Sequence, residues 1–192
     1  IWCASSTHDT EEKICALVHK KLKNKYKNLL TIIIPRHIHR AKKIESEIKK
    51  LDLKIHIHNS KKKINKKTDI YLVNSFGQTR SFFKICKTVF LGGSLISHGG
   101  QNPLEAARYG CKILHGPNIW NFKEIYALLE RHKVSNKILN MNQLTTNVNR
   151  MFNSKNETKN LELKIKRLGN KILNSTLNEI NFYIKKNEIK KT

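Results

Sequence analysis

The chain has 192 residues, with 38 Lys and Arg against 14 Asp and Glu, a formal charge of +24. Hydrophobic residues make up 39% and prolines number only 3, so the sequence can build a core and is not a disordered tail. The length suits one domain with an extension, and no apolar run approaches the ~20 residues of a membrane span.

Cys3, Cys15, Cys86 and Cys111 are scattered without a C-x-x-C pair, which excludes a disulfide scaffold and argues against a zinc ribbon. A reduced, cytosolic setting is the simplest reading. The charge is mostly Lys, spread along the whole length among many Ile and Asn residues. A coding bias toward these residues on a solvated surface explains that spread better than a dedicated nucleic-acid site does. No RRM, KH or zinc-finger pattern is present. The opening Ile1-Trp2-Cys3-Ala4 reads as a core strand already under way, so the sequence is expected to be part of a longer protein.

In chain order, Trp2–Ala4 is a short apolar strand. Asp9-x-x-Glu12 has the form of a capping box at a helix start. Ile14, Cys15, Val18 and Leu22 then follow at helical spacing. Leu29–Ile34 is a β-branched run ended by Pro35, the mark of a strand buried on both faces. Ile44, Ile48 and Leu51 predict another helix. Lys54–His58 alternates with period two. After the polar stretch Asn59–Thr68 comes the strand-like Asp69–Val73, then a turn at Ser75-Phe76-Gly77. Phe82, Phe83 and Cys86 suit a short helix, and Thr88–Leu91 a buried strand. A helix from Asn102-Pro103 to Gly110, a strand at Lys112–Leu114 and a helix at Phe122–Glu130 complete the alternation. That alternation predicts a parallel, doubly wound α/β sheet. Beyond about Leu144, Asn and Lys dominate. Leu161, Ile165, Leu168, Ile172 and Leu173 keep helical spacing. The expected division is therefore a domain over 1–144, then a linker and C-terminal helices over 145–192.

Ligands of open α/β sheets bind beyond the carboxyl ends of the strands. Three loops there carry unusual residues. Arg36 follows a buried strand, where a guanidinium can grip phosphate in a two-pronged way. Asn74–Gln78 places Gly77 beside an aromatic ring. His37, His39, His56 and His58 read as loop or strand histidines without a third metal ligand in view. The strongest signal is Gly92–Glu105, where four glycines fall in nine residues of a chain with 8 in all. Its glycines allow positive φ and free N–H groups, and Asn102 and Pro103 suit the first positions of a helix whose start favours an anion. Glu105 reads either as capping partner of Asn102 or as acceptor for a ribose diol. The loop is neither G-x-G-x-x-G nor a P-loop.

Taken together, several pieces resemble the 3-deoxy-D-manno-octulosonic acid (Kdo) transferases of bacterial lipopolysaccharide synthesis. They are Ala4–His8 with Glu11-Glu12, Pro35-Arg36-His37, Gly77, Gly92-Gly93-Ser94, His98-Gly99-Gly100, Asn102–Glu105, and His115-Gly116-Pro117 with Asn121-Phe122. They span about Ile1 to Ile125. The resemblance implies a Rossmann-like parallel sheet, the C-terminal half of a GT-B glycosyltransferase, with a C-terminal helical extension. It implies CMP-Kdo as donor and lipid A precursor (lipid IVA) as acceptor. It also implies an N-terminal GT-B domain that carries the catalytic base, no metal and no cofactor. Contacts to CMP are implied for Pro35, Arg36, Phe76, Gly77, Gln78, Asn102, Pro103, Leu104 and Glu105. No catalytic residue is expected in this chain, which would not turn over alone. The implied setting is the cytoplasmic face of the inner membrane, against an anionic lipid surface and without a specific nucleic acid. The family turn usually reads Asp-Thr-Met-Gly-Glu, against Asn74-Ser75-Phe76-Gly77-Gln78 here. Another nucleotide sugar, or a basic nucleic-acid or membrane-binding module, are the alternative readings.

Overall fold

A computed structural model describes residues 1–58, 63–154 and 158–189. The chain runs β1 (Trp2–Thr7), α1 (Glu11–Lys23), β2 (Thr31–Pro35), α2 (Ala41–Lys49), β3 (Ile55–Ile57) and β4 (Ile70–Leu72). It continues with α3 (Thr79–Ile85), β5 (Thr88–Leu91), α4 (Leu104–Arg108), β6 (Lys112–His115), α5 (Lys123–Arg131), β7 (Ser135–Lys137), α6 (Met141–Phe152) and α7 (Thr158–Ile189). The seven strands form one parallel sheet in the order β3-β4-β2-β1-β5-β6-β7. This is the doubly wound α/β fold that the alternation predicts.

The pleat explains why the central strands read as continuous apolar runs. Trp2, Ala4 and Ile33 point to one face and pack with Cys15, Val18, Ile44, Ile48, Leu144 and Val148. Cys3, Ile32 and Ile34 point to the other and pack with Phe83, Leu91, Ala107, Ile113, Tyr126 and Leu129. Burying each such aliphatic or aromatic side chain contributes about 1.5–3 kcal/mol. The four cysteines are unpaired and buried in these layers.

The structure differs from the local expectations at three places. Asp9 does not cap α1, which starts after Thr10 without a side-chain cap bond. Asp9 instead accepts from Arg40 Nη2 at 2.7 Å, and Glu12 takes both Arg40 Nη1 and Nη2. Ion pairing to a guanidinium is the stronger bond, and it draws the carboxylate away from the helix start. The strand β7 has no apolar alternation to announce it, because pairing with β6 (Ile113↔Ser135) defines it. The boundary expected at 144/145 falls inside α6, whose Leu144 and Val148 are fully buried. Asn residues on the outer face of that helix mask its inner stripe. Asn59–Lys62, in the stretch read as polar, lie outside the described residues.

The helix α7 keeps its Leu161 and Ile165 buried, whereas Ile172, Leu173, Leu177, Ile180 and Ile184 are exposed. No helix among the described residues is long and apolar enough to cross a membrane.

Candidate functional site

Strand order reverses between β2 and β5, which flank β1 on opposite sides. The chain leaves these strands in opposite directions, so a crevice opens beyond their carboxyl ends. A cavity of about 330 Å³ lies there, within the size range of small-molecule sites. Ser5 and Ser6 of β1 line it, with Ile34 and Pro35 of β2 followed by Arg36 and Ile38. The turn Ser75–Thr79 and Phe83 form another wall, and Leu91, Gln101, Asn102 and Glu105 close it.

Of the nine residues expected to contact nucleotide, seven line this cavity: Pro35, Arg36, Phe76, Gly77, Gln78, Asn102 and Glu105. They come from three segments that share nothing in sequence. Pro103 does not line it, and Leu104 lines an apolar groove between α4, α5 and α7. Successive helical residues point about 100° apart, so Leu104 and Glu105 cannot share one face. The sequence reading passed over Ser5, Ser6, Ser75 and Gln101. Ser5 and Ser6 at the carboxyl end of β1, and Ser75 and Gln101 in the loops that follow β4 and β5, carry that position as their signal.

Arg36 is anchored through its backbone, with its N–H donating to the Thr7 carbonyl at 2.9 Å. Its exposed guanidinium makes no hydrogen bond or ion pair with a described residue. Arg40, four residues on, is committed to Asp9 and Glu12. Glu105 does not cap Asn102. Its carboxylate accepts from Arg80 Nε at 3.1 Å and from Thr79 Oγ1 at 3.4 Å. Asn102 Oδ1 accepts from the Leu104 N–H at 2.9 Å. The Gln101 carbonyl accepts from Tyr126 Oη at 2.9 Å, which ties the loop to α5. Phe76 stands out from its turn at 71% exposure, with Gly77 at φ +77° next to it.

The glycine-rich loop works differently from the expectation that its amides are free. Glu11, fully buried, takes three of them: its Oε2 accepts from Gly93 N at 2.7 Å, and Oε1 from Ser94 N at 3.2 Å and Leu95 N at 3.0 Å. It also accepts from His8 N at 2.9 Å. An internal carboxylate thus fills the anion nest. The glycines serve close approach. A Cβ on Gly92 would stand 2.5 Å from Ser6 O and Thr7 Cα, and one on Gly116 would collide with the Ser94 backbone. Ser94 Oγ completes the lock by donating to Leu91 O and accepting from Gly116 N.

Unsatisfied polar groups gather at the same end of the sheet. Eight buried side-chain N or O atoms among the described residues make no hydrogen bond, although one of them, His19 Nε2, lies 3.4 Å from Asp69 Oδ1. Five of them, on Ser5, Thr7, His8, Asn74 and Ser75, follow or end β1 and β4. Such groups are costly unless something bonds them. Burial, and then the neighbouring His98, His37, Arg40 and Arg36, push the His8 imidazole down to about 4. His115 is also held low by burial. It bonds Gly116 O and Glu130 away from the cavity, and so is part of the framework. No group of three or more His, Cys, Asp or Glu among the described residues is arranged to hold a metal ion.

Comparison with known proteins adds relatives to this geometry. No protein-family model matches the chain. It is 35% identical over 129 residues to a 3-deoxy-D-manno-octulosonic acid transferase of Haemophilus influenzae, covering 67% of this chain and 30% of that protein. It is 28% identical over 156 residues to the enzyme of that name from Aquifex aeolicus, covering 81% of this chain and 43% of that one. The chain thus spans less than half the length of these relatives. Its fold matches the crystal structure of the C-terminal CMP-Kdo binding domain of WaaA from Acinetobacter baumannii. There the TM-score is 0.79 at 23% identity, over 86% of each chain.

Proposed function

We propose that this relative of the Kdo transferases binds CMP-Kdo in the cavity at the strand ends, as the donor-binding part of a Kdo transferase. The observation that carries the reading is convergence: residues named from three separate motifs line one cavity with Arg36, whose guanidinium has no partner among the described residues. In this reading the sheet with α1–α6 is the nucleotide-sugar domain and α7 its helical extension.

The chemistry follows from the groups present. Arg36 takes the phosphate in a charge-assisted, two-pronged contact. The Ser5 and Ser75 hydroxyls, buried and without a protein partner, supply further polar contacts. Glu105 accepts from the ribose hydroxyls. Phe76 covers the nucleoside from the exposed side of the turn, and Asn102, with Pro103 and Leu104 behind it, fixes the entry of α4. Transfer is inverting: a base removes the acceptor hydroxyl proton, the oxygen attacks the anomeric carbon, and CMP leaves with its growing negative charge held by Arg36. The base, the lipid A precursor site and the contact with the inner-membrane surface are assigned to the partner GT-B half. The chain by itself is then expected to bind nucleotide and not to transfer Kdo.

Titration calorimetry of the chain with CMP, UMP, UDP and GDP tests this. CMP binding at least tenfold tighter than the others supports the reading. A preference for UDP or GDP turns it toward another nucleotide sugar, and no binding of any overturns it.

A further inference from the structure

We infer that the imidazoles of His8, His37 and His98, beside Arg36, form the docking site for the carboxylate of the sugar acid that the nucleotide carries. The inference rests on the proposed donor and assigns a second subsite to it.

The cluster joins three loops. His8 follows β1, His37 follows β2, and His98 lies in the glycine-rich loop after β5. The ring of His8 is 4.0 Å from that of His98 and 5.6 Å, edge-on, from that of His37. His39 lies behind His37 at 5.6 Å. The cluster borders the nucleotide cavity at two points. Arg36, adjacent to His37 in the chain, lines the cavity. Gln101 also lines it, and a Cβ on Gly93 would touch Gln101, His98 and His8 together. A sugar attached to a phosphate held by Arg36 therefore extends toward these rings.

Charge makes the site one for an anion. The groups that bear electrostatically on His8 are His98, His37, Arg40 and Arg36, all cationic or neutral donors. Two carboxylates of this region, Asp9 and Glu12, are spent on Arg40. The third, Glu11, is occupied by backbone amides on the other side of the His8 peptide. His8 is 7% exposed, and its Nε2 has no protein partner. Burial keeps this ring neutral at neutral pH, so in its Nε2–H tautomer it offers a donor without the cost of a buried charge. An oxyanion at the open edge of the cluster accepts that bond, with His37 and His98 at the exposed rim.

Two anions of the donor compete for this role, the phosphate and the sugar carboxylate. Calorimetry with CMP and with CMP-Kdo separates them in the wild-type chain and in His37→Ala and His98→Ala, both exposed positions that should fold. If the inference holds, CMP-Kdo binds at least fivefold tighter than CMP to wild type. Each variant then loses most of that ratio, while its affinity for CMP moves less than twofold. Equal loss for both ligands makes the cluster a phosphate site and overturns the inference, as does an unchanged ratio. Absence of binding by either ligand overturns the donor reading itself. The His8 Hε1 resonance gives a second readout: it should shift with CMP-Kdo and not with CMP.

Discussion

The Glu11 carboxylate accepts a 2.7 Å hydrogen bond from the Gly93 amide, 82 residues away in the chain. This bond and its companions to Ser94 and Leu95 join the first helix of the domain to the loop that carries His98 and Gln101. A buried carboxylate with several N–H donors is stable because each donor offsets part of the cost of removing the charge from water. Glu11→Gln keeps the volume but turns an NH₂ group toward amide donors. It should cost about 2–3 kcal/mol in urea unfolding and weaken CMP binding as the loop loosens. Unchanged stability would remove Glu11 from its role as the clamp.

Two glycine substitutions should differ sharply in outcome. Gly92→Ala drives a Cβ against Ser6 O and Thr7 Cα, backbone atoms that cannot swing away. It should destabilise by about 3 kcal/mol or more. Gly169→Ala lies within α7, where nothing stands within 4 Å of the added carbon. It should gain up to about 1 kcal/mol of helix stability. Circular dichroism melts of the two variants check both signs.

Arg36→Ala should lower CMP affinity about 10- to 100-fold, the worth of one or two charge-assisted bonds. Its melting temperature should stay near wild type, because the guanidinium has no described partner to lose. Arg36→Lys should recover only part of the affinity, since an ammonium cannot make the paired contact. Full recovery would mean that charge alone is read.

Acid should destabilise the fold through buried imidazoles. His19 is completely buried, bonds Thr31 Oγ1 at 2.9 Å, and is pushed down to about 4 by burial and then Lys23, against the pull of the Asp69 carboxylate 3.4 Å from its Nε2. In the unfolded chain it titrates near 6.5. Between those values the unfolded state binds more protons, so the stability this residue contributes is full above about 6.5 and falls as pH drops toward 4. His8 acts in the same sense. Melting temperature followed from pH 7.5 to 4 should fall less steeply in His19→Gln than in wild type. Parallel curves would assign the acid loss to other groups.

Elements with their own apolar signature were legible in the chain. Leu29–Ile34 and Thr88–Leu91 form runs that only a strand buried on both faces supports, and Ile44 and Ile48 lie one helical turn apart. The glycine-rich segment and the Pro-Arg and Asn-Pro pairs marked the loops of the site, because loop chemistry is carried by few residue types. The sequence alone therefore determined the parallel α/β alternation and seven of the residues that line the cavity. Tertiary structure alone decided what each polar group does there. Glu11 reaches the glycine amides, Asp9 and Glu12 turn to Arg40, Glu105 pairs with Arg80, and Leu104 faces away from Glu105. A carboxylate bonds whichever donors the fold brings within hydrogen-bonding reach, and those donors lie up to 84 residues away, beyond any local pattern.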